Sequence, residues 1–344
     1  MRTKFCRVWP IRCFKMLVTR KLGIKCFALT VVIMVTWILF PTSPIDEVTL
    51  THTGLIGFTE LSELRTPKSF LIVPKQNVQS VKNVVIIVVS KASNSLQRET
   101  IRKTWGNPRS QIEYNFTLYF LLGREEHGHI DNTYNDIIQV DIVEDYYNLT
   151  DKTVAAFNWV VQHCHEASYF FKVDDDVYLD LAVLGDIQNN DSYLQDNVII
   201  GSCRQVSSPV RKPGKWQVSY DEYPFTTLPP FCNGPGYAMT IPTARIIYEE
   251  TRKTKMFKLE DVYVGMVAYR LGISVKHIEN FVYDCNTYIY QRLLGNLFSR
   301  CHTIIHYASS DVVHTLWDQR GMAQRGEKDC SFLGEIRFYL SEKT

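Results

Sequence analysis

Three consecutive aspartates, Asp174, Asp175 and Asp176, lie within the stretch FFKVDDDVYLD at 170–180 and follow an apolar run directly. Adjacent carboxylates repel and raise one another's pKa unless a cation neutralises them. Hard divalent ions such as Mg2+ and Mn2+ take oxygen ligands and bridge phosphates. In open α/β sheets, ligands bind just beyond the carboxyl ends of strands. The triplet therefore predicts a metal–diphosphate site, against the plainer reading of a solvated acidic turn. A second pair, Glu260 and Asp261, opens the amphipathic segment 259–271. The helix dipole favours an ionised carboxylate there, and in a cleft such a group can accept a proton from a hydroxyl. An ordinary carboxylate at a helix start is the simpler reading. Arg98 and Arg102 stand one turn apart and could hold a diphosphate or brace the carboxylates. The alternative is a surface helix with a Glu99–Lys103 pair. Gly234 and Gly236, in PFCNGPGY at 230–237, would let backbone approach a ligand closely, with Tyr237 or Phe231 as a stacking ring. An irregular loop pinned by Cys232 competes with that. The spacing of His302, His306 and His314 does not choose among the three.

The elements that must position these groups alternate in type. The β-branched run VVIIVV at 84–89 predicts a central strand covered on both faces. A helix is expected over 97–105, and strands over 117–122 and 136–141. A helix over 151–164 carries Val154, Phe157, Val161 and Cys164 on one stripe, with Asp151 as its cap. A strand over 169–173 runs into the aspartates. A strand over 197–202, a helix over 259–271 ended by Gly272, and a strand over 273–278 complete the reading. This alternation predicts an α/β domain with a mainly parallel central sheet.

The ends add a compartment. Residues 1–25 hold eight Lys or Arg and no acid, and 22–40 is apolar apart from Lys25. An α-helix of that length rises about 28 Å, enough to cross a bilayer. Residues 1–21 are read as a cytoplasmic tail, 22–40 as a signal-anchor transmembrane helix, 41–80 as a Thr/Ser/Pro-rich stem, and 81–344 as a lumenal domain. A cleaved signal peptide is disfavoured by the long basic start and the poor cleavage site at 40–44. Six cysteines follow the anchor and allow up to three disulfides in an oxidising lumen. Sequons at Asn115, Asn148 and Asn190 agree with that lumen. A net charge of +2 gives no reason to expect nucleic-acid binding.

Together the ordered segments resemble the β-1,3-galactosyltransferase family. The segments are RETIRKTWG at 98–106, YFLLG at 119–123, DYYNLTDKT at 145–153, KVDDDVYLD at 172–180, KWQVSYDEYPFTTLPPFCNGPGY at 215–237 and EDVYVG at 260–265. The resemblance implies a GT-A fold, a single nucleotide-sugar-binding domain, in a type II Golgi membrane protein that needs Mn2+ and inverts the anomeric carbon. It implies that Asp174, Asp175 and Asp176 hold the metal and the UDP, the first and third as a D-x-D pair. His306 looks like the family's C-terminal metal ligand from its spacing to Trp317. Asp261 would be the catalytic base, with Glu260 its rival. Lys91, Arg98 and Arg102 look like donor-site positions. Trp216, Glu222, Tyr223, Gly234, Gly236 and Tyr237 fall on the substrate side. The partners implied are a UDP-sugar, galactose before N-acetylglucosamine or N-acetylgalactosamine, and a glycan acceptor on glycolipid or glycoprotein. The Golgi membrane and a homo-oligomer are further partners compatible with it. Two other classes compete: an inactive lumenal partner of a transferase, and a metal-dependent hydrolase of nucleotide sugars. The intact acidic triplet and base disfavour the former; the aromatics at 216–225 disfavour the latter.

Overall fold

The computed structural model describes residues 48–75, 82–125, 130, 132–190, 193–284 and 303–323. The expected membrane helix at 22–40 lies outside them. Among the described residues no helix is long and apolar enough to cross a membrane. The chain divides into two units after Val48, and the second carries all of the described helices and strands.

The segment expected as a stem is partly folded into this unit. Thr51 caps helix α1 (His52–Thr59), its hydroxyl accepting from the Gly54 amide at 3.0 Å, and Leu55 is fully buried. Strand β1 (Phe70–Ile72) then joins the main sheet. The reason is apolar content: Leu55, Phe58 and Phe70 pack on the core where a solvated linker would carry polar residues.

The next elements are β2 (Val84–Val89), α2 (Ser95–Lys103), α3 (Pro108–Glu113), β3 (Phe116–Arg124), β4 (Ile137–Val143), α4 (Leu149–His163) and β5 (Tyr169–Asp174). Asp151 is not the cap of α4. It lies in the first turn and pairs with Arg65 at 2.6 Å, while Asn148 occupies the cap position. There follow β6 (Val177–Leu179), α5 (Ala182–Asn189), β7 (Val198–Arg204), β8 (Phe231–Thr240), α6 (Ile241–Thr251) and α7 (Glu260–Arg270). The last are β9 (Ser274–His277), β10 (Val282–Asp284), β11 (Ile304–His306) and α8 (Ser310–Ala323). Gly272, at φ +68°, closes α7 in the left-handed conformation that glycine tolerates.

The main sheet runs β1-β4-β3-β2-β5-β8-β7-β9. It is mixed, not mainly parallel. The pairs β4–β3, β3–β2, β2–β5 and β7–β9 are parallel; β1–β4, β5–β8 and β8–β7 are antiparallel. The departure comes from β8, which the glycines and Pro235 disguise as a loop. Proline lacks a ladder donor and is confined to ladder ends and bulges. Here β5 pairing stops at Gly236, and the β7 register shifts between Gly201 and Cys203, so Pro235 falls where no donor is required.

Both faces of β2 are buried, as its composition requires. Val85 and Ile87 join a core with α4, α6 and α7. Val84, Ile86 and Val88 join another with α2, α5 and α8. Chain order puts β3 and β4 on one side of β2, and β5 on the other. The β2–β5 boundary is therefore the topological switch point, where connections leave in opposite directions and a crevice opens beyond the strand ends.

Cys203 and Cys232 are disulfide-bonded across β7 and β8. Cys164 is a free thiol, its pKa pushed up to about 12 by burial. Cys285, Cys301 and Cys330 lie outside the described residues. Of the sequons, Asn115 is exposed before β3. Asn148 is not presented as an open acceptor: its amide donates to the Val143 carbonyl at 3.0 Å, and Thr150 is buried, donating to the Phe257 carbonyl at 2.8 Å. Asn190 is exposed, and its partners in the triplet lie outside the described residues.

Candidate active site

Asp174 ends β5, and Asp175 and Asp176 form the turn into β6, at the switch point. The three carboxylates do different things. Asp175 turns back toward β2 and α2, accepting from Ser90 Oγ at 2.6 Å and Asn94 Nδ2 at 2.9 Å. Burial raises its pKa despite those bonds. Asp174 and Asp176 face the other way, and His306 joins them. The ligand atoms of these three residues all lie within 4.8 Å of one another.

His306 arrives by strand pairing. A small sheet runs β10-β11-β6, and its antiparallel register sets His306 opposite Val177. The Ala308 amide donates to the Asp176 carbonyl at 2.9 Å and fixes the far side. His306 Nε2 is 3.7 Å from Asp176 Oδ1, and Tyr307, at φ +57°, stacks on its ring. Burial and then Asp174 push the Asp176 carboxyl up to about 6, with His306 opposing. Two carboxylate oxygens and an imidazole nitrogen form a donor set that suits a divalent ion, and a cation would relieve the repulsion that raises Asp176.

Beneath this cluster lies Lys172, fully buried in β5. Its ammonium donates to Asp174 Oδ1 at 2.7 Å and to the Gly234 carbonyl at 2.6 Å, and it lies 3.6 Å from Glu260 Oε2. Burial opposes its charge, but Asp174 and Glu260 hold the pKa above the ordinary lysine value. Glu260 also accepts from the Tyr237 hydroxyl at 2.8 Å. Both of its oxygens are thus committed inside the protein, and burial raises its pKa.

Asp261, next in α7, lines the cleft. Its Oδ1 accepts from the Val262 amide at 2.8 Å. Burial raises its pKa, with the Val262 amide the first opposing influence. The two carboxylates of EDVYVG are therefore separated by role: Glu260 faces Lys172 and Asp261 faces the cleft. Gly265 in the same motif lets α7 press onto β8, where a Cβ would meet Phe231 Cβ and the Pro230 carbonyl at 2.5 Å.

The cleft measures about 520 Å3 and gathers Asp174, Asp176, His306, Glu260, Asp261, Gly234 and Trp216. Other expected residues lie elsewhere. Arg98 is buried under the loop after β2, donating to Ser90 Oγ at 3.2 Å, to the Lys91 carbonyl and to the Ala92 carbonyl at 2.8 Å. Burial lowers its pKa. It braces the aspartates only through Ser90. Arg102 is committed to Asp136, with bonds of 2.8 and 2.9 Å, and its guanidinium lies over the Phe120 and Tyr134 rings. Lys91 is exposed just past β2. Gly236 admits a side chain instead of a ligand: a Cβ there would stand 2.4 Å from Ile304 Cδ1 of β11. Tyr237 is buried on Glu260 and offers no face to a sugar. Tyr223 is fully buried, donating to the Thr227 carbonyl at 2.7 Å among Phe58, Phe225 and Phe257. Glu222 holds Lys258 at 2.6 Å outside the cleft lining.

The sequence reading missed Lys172, Ser90 and Asn94 around the triplet. It missed the buried Lys152, whose ammonium bonds Glu144 at 2.8 and 2.9 Å and the Ser90 carbonyl at 2.7 Å. It also missed Tyr146, Arg204 and Lys215 in the cleft wall. Lys172 stands one strand repeat from Asp174 inside KVDDD, and that proximity was the available signal; Lys152, in DYYNLTDKT, has its partner Glu144 eight residues away and gave none.

Residues 96–279 match the family described as Galactosyltransferase, just over half the chain. The human UDP-GalNAc:beta-1,3-N-acetylgalactosaminyltransferase 1 is 33% identical over 256 residues, covering 68% of this chain and 73% of that protein. Beta-1,3-galactosyltransferase 5 of Pan paniscus is 31% identical over 225 residues, covering 62% and 73%. Beta-1,3-galactosyltransferase brn of Drosophila melanogaster is 29% identical over 247 residues, covering 69% and 74%. On this extent of similarity the chain belongs to the galactosyltransferase family and is a glycosyltransferase.

Proposed function

We propose that this chain is an inverting, metal-dependent hexosyltransferase of GT-A type that moves galactose from UDP-galactose to a 3-hydroxyl of a glycan acceptor, on glycolipid or glycoprotein, forming a β-1,3 linkage. In the same reading it is a single-pass type II protein of the Golgi membrane, anchored by residues 22–40. The observation that carries the proposal is the convergence of Asp174, Asp176 and His306 at the switch point, in one cleft with Asp261. A divalent cation held by those three, manganese in this reading, supplies positive charge against the diphosphate of the donor.

The chain's own residues do the rest. Lys172 fixes Asp174 and, through Glu260, the start of α7. Asp261 is left facing the cleft with its pKa raised by burial, a stronger base than a solvated aspartate once it is ionised. It accepts the acceptor's O3 proton as that oxygen attacks the anomeric carbon. The bond from that carbon to the diphosphate oxygen breaks on the opposite face, and UDP leaves with the electron pair. A single displacement from an α-linked donor gives the β product and needs no enzyme nucleophile.

The test is UDP release by the full lumenal portion with UDP-galactose, UDP-N-acetylglucosamine and UDP-N-acetylgalactosamine, with and without acceptor. Acceptor-dependent release that is fastest with UDP-galactose, stopped by EDTA and restored by Mn2+, is the expected result. Undiminished turnover in chelator would refute the metal assignment, and a faster rate with either other donor would refute galactose.

A further inference from the structure

The cleft is electrostatically divided. Its carboxylates, Asp174, Asp176, Glu260 and Asp261, come from β5, the following turn and α7. Its cations, Arg204 and Lys215, come from the end of β7 and the loop behind it. From Arg204 to Ser219 the sequence has four Lys or Arg and no acid. β7 lies two strands from β5 along the sheet, with β8 between them, so Arg204 stands on the far side of β8 from Asp174.

Neither cation is neutralised by a carboxylate among the described residues. Arg204 is exposed, and its Nε donates to Asn233 Oδ1 at 3.2 Å. Asn233 is itself fixed, donating to Ser202 Oγ at 3.2 Å. That single bond orients the guanidinium and leaves its terminal nitrogens to a ligand. Lys215 lies over the Tyr146 ring at 4.4 Å and the Trp216 ring at 5.8 Å. Lys215 so lies between the turn before α4, which carries Tyr146, and the 205–230 loop, which carries Trp216. The lysine thus lies against two aromatic ring faces. A guanidinium fork and an ammonium without acidic partners, in a sugar-sized cleft, suit a carboxylate or sulfate.

We propose that Arg204 and Lys215 form an anion-recognising subsite in the acceptor half of the cleft, so that the preferred acceptor glycan carries a negative charge on the sugar next to the one that is glycosylated. This rests on the transferase reading. Trp216 and Tyr146 supply the ring faces on which the neutral parts of that glycan lie.

The test compares N-acetyllactosamine, its counterpart sulfated on the N-acetylglucosamine, and a galactosyl–glucuronate disaccharide. Acceptor kcat/KM is measured for wild type, Arg204→Ala, Arg204→Lys and Lys215→Ala. One charged acceptor should exceed the neutral one about fivefold or more in the wild type. That ratio should fall toward one in either alanine variant, be partly restored by Arg204→Lys, and shrink with added salt. Which charged acceptor is favoured separates sulfate from carboxylate. Equal kcat/KM for charged and neutral acceptors overturns the subsite. So does a preference that survives both alanine variants, or an Arg204→Ala variant that loses UDP affinity instead. Calorimetric titration of the sulfated and glucuronate sugars into the same proteins decides the subsite without turnover. Absence of transfer with every donor would sink the transferase reading alone.

Discussion

Five carboxylates stand near one another at the head of the cleft, and their surroundings assign them different work. Asp175 is bonded to Ser90 and Asn94, and Glu260, though it borders the cleft, to Tyr237 with Lys172 alongside, which leaves Asp174, Asp176 and Asp261 as the cleft carboxylates not held by a tyrosine or by β2 and α2. The sequence announced the acids but not this division. The partners that make it are 85 and 81 residues away for Asp175, and 23 for Glu260. The same distance effect hid Arg102, whose partner Asp136 is 34 residues on. Two consequences can be measured at Asp261. Asp261→Asn should lower kcat by at least about 100-fold while UDP still binds in the presence of Mn2+; activity within tenfold of wild type would remove it from the mechanism. The acid limb of kcat/KM follows from the same group. A carboxyl with a raised pKa keeps its proton to higher pH, so the base is lost sooner as pH falls. The limb should therefore lie above the ordinary aspartate value of about 4. A limb at or below that value would show that burial does not tune this residue.

At the level of elements, the sequence revealed strands whose composition alone fixes them and hid those that depend on a neighbour. β2 is six apolar β-branched residues with both faces buried, and any reading finds it. β8, with two glycines and a proline, is a strand only because β5 and β7 flank it. β6 and β11 have three residues each and exist only through their pairing, β6 on β11 and β11 also on β10, yet their register carries His306 to Asp176. Gly236 is the joint between these layers. A Cβ at that position would meet Ile304 Cδ1 at 2.4 Å, and the Lys172 carbonyl and Val173 Cγ1 at 3.2 Å. Gly236→Ala should push β11 outward, at a cost of roughly 1–3 kcal/mol in stability. Because β11 also bears His306, the variant should bind Mn2+ with UDP more weakly than wild type, by calorimetry, even where it stays folded. Unchanged melting temperature and unchanged Mn2+ affinity would show that the layers slide past the added methyl, and that Gly236 has another reason to be glycine.

On the scale of the whole unit, the switch point between β2 and β5 was the most legible feature, because alternating strands and helices imply it. The least legible was where the unit begins. Residues 49–72 read as a solvated stem, since their short apolar segments show no period until the surface they cover is known. In the structure α1 is bound to α7, the helix that carries Asp261. Arg270, at the end of α7, donates to the Ile56 carbonyl at 3.1 Å, Thr59 Oγ1 at 2.8 Å and Glu60 Oε2 at 2.6 Å, as well as to Glu250. Phe58 stacks edge-on against Tyr223 and Phe225, the buried rings beneath the cleft loop. β1 covers the edge of β4. A chain starting at residue 81 would leave Arg270, with a side chain only 4% exposed, beside Glu250 alone. It would also empty the Leu55 site, worth about 2–5 kcal/mol on its own. Domains have about 5–15 kcal/mol in total. Secreted 49–344 should therefore melt cooperatively and turn over, whereas 81–344 should aggregate or lack a cooperative transition. Leu55→Ala in the longer chain should lower the midpoint while the protein remains folded. If 81–344 melted within a few degrees of 49–344 and kept its acceptor KM, residues 49–72 would be a tether resting on the domain, and α7 would be held by its own core.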